Sequence, residues 1–196
     1  MKIIGQFRDV DNPDRFVWLR GFSDMSSRAR ALSDFYGGPV WKTHREAANA
    51  TMVDSDNVLL LRAVSPGSGF SLAPKTRLPY GADDEAERLI VATICYLAKP
   101  MTADFVKFFK NSTVPKIVAA GAEVMAYFAS EQSENTFPAL PVRENENVFV
   151  WFARFSDAAA PRRSGPWGEE IAAELARQLT RRPETLKLSP SARSLL

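Results

Sequence analysis

The sequence predicts an α+β fold assembled from two copies of one strand-rich unit, the first copy incomplete. Three features that return along the chain in the same order predict it. Phe16-Val17-Trp18-Leu19-Arg20-Gly21-Phe22-Ser23-Asp24 comes back as Phe149-Val150-Trp151-Phe152-Ala153-Arg154-Phe155-Ser156-Asp157, with six of the nine positions identical. Gly38-Pro39-Val40-Trp41 is echoed by Gly165-Pro166-Trp167, each opening a helical stretch. After those helices come short apolar segments, Asn57 to Val64 and Thr185 to Leu188. Such ordered recurrence marks a duplicated unit.

In the first copy, Lys2 to Arg8 predicts a strand and Asp11-Asn12-Pro13-Asp14 a turn, because asparagine before proline and flanking acids favour local side-chain hydrogen bonds. Arg15 to Phe22 is the returning strand, rich in the aromatic and β-branched residues that suit a pleated surface. Ser23 or Asp24 caps a helix that carries Ala29, Leu32 and Phe35 and stops at Gly37-Gly38. A second helix, Pro39 to Met52, has proline in its first turn, where the missing N–H is harmless. Asn57 to Val64 predicts a buried strand. The proline- and glycine-bearing stretch that follows reads as a connector.

The second copy opens with an apolar strand, Leu89 to Ala98, and a helix from Met101 to Ala122 interrupted near Pro115. Glu123 to Ser130 and Asn147 to Phe155 are two strands joined by a polar loop. Gly165 to Arg182 predicts an amphipathic helix with Ile171, Leu175 and Leu179 on one face, and a last short strand follows. The division expected is 1–65 for an incomplete β-β-α-β unit, 66–86 for a linker and 87–196 for a β-α-β-β-α-β unit. The latter order is the ferredoxin-like one.

The first copy lacks the opening strand and helix of the second. In a ferredoxin-like sheet that strand lies centrally, so its absence leaves edges to be paired some other way. A start codon assigned too late is the expectation here; a strand supplied by another chain, or a sheet that closes over the gap, are the alternatives.

The 196 residues carry 45% hydrophobic and 24% charged side chains and a net charge of +2. That composition is globular, and without a basic surplus nucleic-acid binding is not expected. No apolar run approaches the roughly 18–20 residues that cross a bilayer, and Met1-Lys2-Ile3-Ile4-Gly5 does not read as a secretory leader. A cytoplasmic location is therefore expected. A single cysteine, Cys95, and a single histidine, His44, exclude an intrachain disulfide and a metal site built from several cysteines or histidines in one chain. Gly67-Ser68-Gly69 lacks the lysine and helix of a phosphate loop. Neither a cofactor nor a metal is expected.

The segments Phe7-Arg8-Asp9-Val10-Asp11-Asn12-Pro13-Asp14-Arg15-Phe16-Val17-Trp18-Leu19-Arg20-Gly21-Phe22, Phe35-Tyr36-Gly37-Gly38-Pro39-Val40-Trp41-Lys42 and Asp54-Ser55-Asp56-Asn57-Val58-Leu59-Leu60-Leu61-Arg62 resemble bacterial NIPSNAP-family proteins. The resemblance covers Phe7 to Arg62 and, more weakly, the second copy. It implies the dimeric α/β-barrel architecture, in which tandem ferredoxin-like units pair through their sheets with helices outside. The missing strand and helix depart from that pattern. The family has no generally assigned catalytic mechanism, so no catalytic residue is carried over. Its animal members are associated with mitochondria and protein interactions. The wider superfamily includes cofactor-free monooxygenases of aromatic substrates and haem enzymes, an analogy of fold alone.

Two sets of side chains are candidates for ligand binding. Alternation places Phe16, Trp18, Arg20 and Phe22 on one face of their strand, an apolar wall on which Arg20 offers an anion or carbonyl contact. Ala153 stands at the arginine position of the second copy, so only the first is so equipped. Trp41, His44 and Arg45 are helix neighbours at spacings of three and four, and histidine is suited to proton transfer near neutral pH. Cys95 sits in an apolar strand and reads as core. Asp54 and Asp56 read as a turn. The expected function is binding of a small aromatic or lipid-like molecule in a barrel pocket, with or without cofactor-independent catalysis. The alternative is a non-catalytic homo-oligomeric interaction module. A homo-oligomer is the expected assembly.

Overall fold

The computed structural model describes residues 1–72, 77–82, 88–155 and 173–196. Along them run β1 (Lys2–Asp9), β2 (Phe16–Gly21), α1 (Met25–Gly37), α2 (Pro39–Asn49), β3 (Leu61–Ala63), β4 (Leu89–Tyr96), α3 (Ala103–Phe108), α4 (Val114–Ala119), β5 (Ala122–Ser130), β6 (Val148–Phe155) and β7 (Glu184–Pro190). All seven strands join one curled antiparallel sheet in the order β2-β1-β7-β4-β6-β5-β3.

Local chemistry sets the element ends. In the β1–β2 turn, Asp9 and Asn12 side chains accept hydrogen bonds from the backbone N–H of Asp11 and Asp14 at 3.0 and 3.2 Å. The Asp24 carboxylate accepts from the backbone N–H of Ser27 at 2.6 Å, and the Ser27 hydroxyl accepts from the Asp24 N–H at 3.1 Å, a capping box at the start of α1. The helix predicted over Met101 to Ala122 is split by a π-helical turn, Phe109–Thr113, just before Pro115. Proline has no N–H to donate and its ring crowds the carbonyl four residues back, so the backbone widens there.

β4 lies at the centre, paired with β6 and β7, and every residue in it is buried. Its alternate side chains feed two cores. On the helix face, Val91, Cys95, Phe149, Trp151 and Phe155 pack with Phe105, Phe109 and Ile117. On the inner face, Ile90, Ile94, Val150, Phe152 and Leu188 meet Val17 and Leu19 of β2 and Leu61 of β3. Side chains from both edges of the sheet thus converge on one core, as curling requires. Phe70 of the connector adds its ring at 5.3 Å from Phe128 and 5.0 Å from Phe152.

The two hairpins correspond in register. Ile3, Gly5, Gln6 and Phe7 face Arg20, Leu19, Trp18 and Val17, with a bulge at Ile4. Val124, Ala126, Tyr127 and Phe128 face Ala153, Phe152, Trp151 and Val150, with a bulge at Met125. The residues facing these strands are the repeated ones, position for position.

Two expectations change. The strand predicted over Asn57 to Val64 shortens to β3, because Val58 and Leu60 give their carbonyls to Arg143 and Glu131 N–H groups of the loop after β5. For the helix predicted over Gly165 to Arg182, residues 165–172 lie outside the described residues. Its end is not helical: Leu179 bridges Leu97 and the Thr180 N–H donates to Tyr96 at 2.8 Å, drawing the chain into extended form.

Strands from the N-terminal part of the chain pair with strands from the C-terminal part. β1 runs along β7 and β3 along β5. Among the described residues, neither the outer edge of β2 nor that of β3 receives a backbone hydrogen bond.

Candidate functional site

Trp18 and Arg20 occupy the helix face of β2, two residues apart, so they stand side by side. The Arg20 guanidinium lies 4.7 Å from the Trp18 ring centroid, a cation–π contact, and donates to the Tyr36 hydroxyl at 3.4 Å. Tyr36 closes α1. Its ring meets Trp41 edge-on at 5.0 Å and stacks on Phe137 at 5.7 Å. Phe35 adds a further edge contact to Tyr36 at 5.0 Å.

The sharp reversal between α1 and α2 brings Trp41 back to Tyr36. Gly38 permits it, since a Cβ there would stand 2.8 Å from the Asp34 carbonyl oxygen. Three of the five predicted residues, Trp18, Arg20 and Trp41, are thereby gathered around Tyr36. His44 and Arg45 lie on the exposed side of α2 and take no part in the cluster.

Arg28 of α1 was not singled out by the sequence. It is 3% exposed, and its guanidinium donates to Asn135 Oδ1 at 2.9 Å and Thr136 Oγ1 at 3.4 Å. Burial pushes its pKa below the usual arginine value, and the charge of Arg20 pushes the same way. Among the described residues neither guanidinium has a carboxylate partner. The result is a half-exposed aromatic cluster beside two cations with no counter-ion among the described residues. Such an arrangement suits a planar ligand with an acidic group, through ring stacking and charge-assisted hydrogen bonds. What identified Arg20 was strand alternation. Arg28 depends on a loop more than a hundred residues away, and no local pattern reports that.

At the far end of β4, the Tyr96 ring centroid lies 3.5 Å from the Arg181 guanidinium and 5.2 Å from that of Arg143. Its hydroxyl donates to Glu184 at 2.8 Å and accepts from Arg143 at 3.2 Å. These residues, with Asp54 and Asp56, line an open cavity of about 670 Å³. Its charges are largely satisfied internally, with Arg143 paired to Glu146 at 2.7 Å. Asp54 and Asp56 form the expected turn, the Asp54 side chain accepting from the Asp56 N–H at 2.8 Å. Cys95 is fully buried, and burial pushes its thiol up to about 12.

Among the described residues, no group of three or more His, Cys, Asp or Glu side chains is placed to hold a metal ion. No helix among them is long and apolar enough to cross a membrane. No family model, curated protein or solved structure matches the chain.

Proposed function

We propose that the chain is a NIPSNAP-like α/β-barrel protein that binds a small aromatic or lipid-like molecule carrying an acidic group, on the helix face of β2. One observation carries this reading: Arg20 and Arg28 stand, among the described residues, without a carboxylate partner beside Trp18, Tyr36 and Trp41. Aromatic faces supply contact area, and a guanidinium fixes the orientation of a carboxylate. The order β7-β4-β6-β5, with α3 and α4 between the first and second strands in sequence, supports a ferredoxin-like reading of residues 87–196. The shared register of the two hairpins supports a tandem arrangement.

Calorimetric titration with 2-naphthoate, and with naphthalene-2-methanol as the uncharged control, tests the site. A hydrogen bond to a charged group is worth about 1.5–3 kcal/mol, so Arg20→Ala should weaken naphthoate binding by about ten- to a hundredfold. The thermal midpoint should change little, because Arg20 is half-exposed. Equal affinity of the variant for naphthoate, or no saturable binding to the native chain, overturns the reading.

A second reading, a homo-oligomeric interaction module without catalysis, draws on the open edges of β2 and β3. It predicts a dimer or larger species by native mass spectrometry, where the ligand-binding reading alone requires none.

A further inference from the structure

We infer that the acidic group taken on the helix face of β2 is a dianion, the phosphate monoester of a small aromatic molecule, held between Arg20, the Tyr36 hydroxyl and the buried charge of Arg28. This rests on the ligand-binding reading of that face and adds the charge of what binds there. Arg20 and Arg28 bring two positive charges to the cluster, and among the described residues neither meets a carboxylate. Arg20 is half-buried, and its guanidinium reaches the Trp18 ring and the Tyr36 oxygen. Arg28 is 3% exposed. A guanidinium is not deprotonated in a protein, so neither residue relieves the other by losing a proton.

A buried charge without an ionic partner is costly. Around Arg28 the structure supplies neutral dipoles instead, and each is fixed in turn. Asn135 Oδ1 and Thr136 Oγ1 accept from Arg28 Nη1 at 2.9 and 3.4 Å. Asn135 Oδ1 also accepts from the Phe137 N–H at 3.1 Å, and Asn135 Nδ2 donates to the Leu140 carbonyl at 3.0 Å. The Thr136 hydroxyl donates to the Met25 carbonyl at 2.9 Å. Arg28 is thus held in place by groups that orient it and do not cancel its charge. It stands close enough to Arg20 and Tyr36 for both to act on its ionisation. From that position its field reaches the ligand through protein, which screens less than water does.

Tyr36 completes the donor set. Its oxygen takes the hydrogen bond from Arg20, and among the described residues its own O–H has no acceptor. It is therefore free to donate to a ligand oxygen. A guanidinium fork, a phenol O–H and a second positive charge behind them match a phosphate monoester, with its three acceptor oxygens and close to two charges. A carboxylate would leave one of the two cations unanswered. Trp18, 37% exposed, and the half-buried Trp41 supply the ring contact for an aryl body.

Calorimetric titration with 2-naphthyl phosphate and 2-naphthyl sulfate, at pH 8 and constant ionic strength, tests the charge. Both carry the same ring and a tetrahedral head. At pH 8, above the second phosphate pKa of about 6, the phosphate has two charges and the sulfate one. The native chain should bind the phosphate about tenfold more tightly or better, as a further charged interaction gives. Arg28→Gln keeps an N–H for Asn135 and Thr136 without the charge, and should bring the two ligands within about twofold of each other. Arg28→Lys should retain the preference. A preference below about threefold in the native chain, or an unchanged one in folded Arg28→Gln, overturns the inference. Should circular dichroism show Arg28→Gln unfolded, the ligand pair on the native chain decides alone. Dodecyl phosphate below its micellar concentration checks the body: weaker binding than naphthyl phosphate supports the aryl assignment, and tighter binding overturns it. Saturable naphthoate binding without a phosphate preference sinks this inference and leaves the ligand-binding reading intact, whereas no binding of any of these compounds sinks both.

Discussion

The exposed Phe16 and the buried Phe149 occupy matching register positions in two hairpins, one at the sheet edge and one in its interior, so replacing each with alanine compares an open face with a covered one. A fully covered phenylalanine withdraws about 150–250 Å² from water, about 4–6 kcal/mol at 25 cal/mol per Å². Truncation of such core rings costs about 3–5 kcal/mol. Phe149 belongs to this class, with Phe105 and Phe109 rings at 5.0 and 4.8 Å. Phe16 keeps 59% of its surface in water. Less than half of a ring's area is at stake there and no closed cavity is left, so Phe16→Ala should cost about 1–2 kcal/mol. The gap of about 2–3 kcal/mol corresponds to about 4–12 °C in unfolding midpoint for a chain of this size. Thermal and urea unfolding of both variants, followed by circular dichroism, reads it. Equal losses would refute the reasoning, because they would mean that the face of β2 is as well covered as that of β6.

Two further predictions concern the core between β4, β6 and the helices after β4. The Thr113 hydroxyl, in the π-helical turn, is buried with no hydrogen-bond partner among the described residues, and an unsatisfied buried polar group costs about 1–3 kcal/mol. Thr113→Val should therefore raise the midpoint by about 2–12 °C; a lower midpoint would show that the hydroxyl is satisfied. The Cys95 thiol, raised by burial from 9.0 to about 12, makes the folded state prefer the neutral form more strongly than the unfolded state does. Its contribution to stability is thus complete below pH 9 and is lost as the pH rises from 9 towards 12. Native Cys95 should resist Ellman's reagent at pH 8 and react once urea unfolds the chain, and Cys95→Ala should flatten the alkaline loss. Prompt reaction of the native thiol would contradict the burial.

Strand content was readable from the sequence because it depends on local chemistry. The alternation of Phe16 to Phe22, the continuous apolar run of β4 and the asparagine–proline turn each placed an element where the structure has one. Pairing between distant strands was not readable, since β1 could have met any edge of matching pattern. Its place beside β7 follows from closing the inner core around Phe7, Leu188 and Leu196. The helix after β4 was read as interrupted near Pro115, but that the interruption is a π-helical turn, with Phe109 against Phe149 and Trp151, was not legible. Candidate-site residues divide in the same way. Trp18 and Arg20 share a face by the two-residue period of a strand, and Trp41 reaches them through the reversal at Gly38. Helical spacing alone grouped His44 and Arg45 with Trp41, whereas the ring of Trp41 turns towards Tyr36 and leaves both in solvent. Arg28 became visible only when the loop bearing Asn135 and Thr136 closed over α1.

The most direct test of the open-sided sheet is amide hydrogen exchange on the chain alone, comparing Phe16–Gly21 with its repeat in Val148–Phe155. The shared Phe-Val-Trp segment allows a like-for-like comparison at three positions. β2 should exchange at its outer amides as an edge strand does, orders of magnitude faster than β6, which is hydrogen-bonded on both sides. Equal protection of the two strands at dilute concentration would contradict the account, because β2 would then already have a partner along its outer edge.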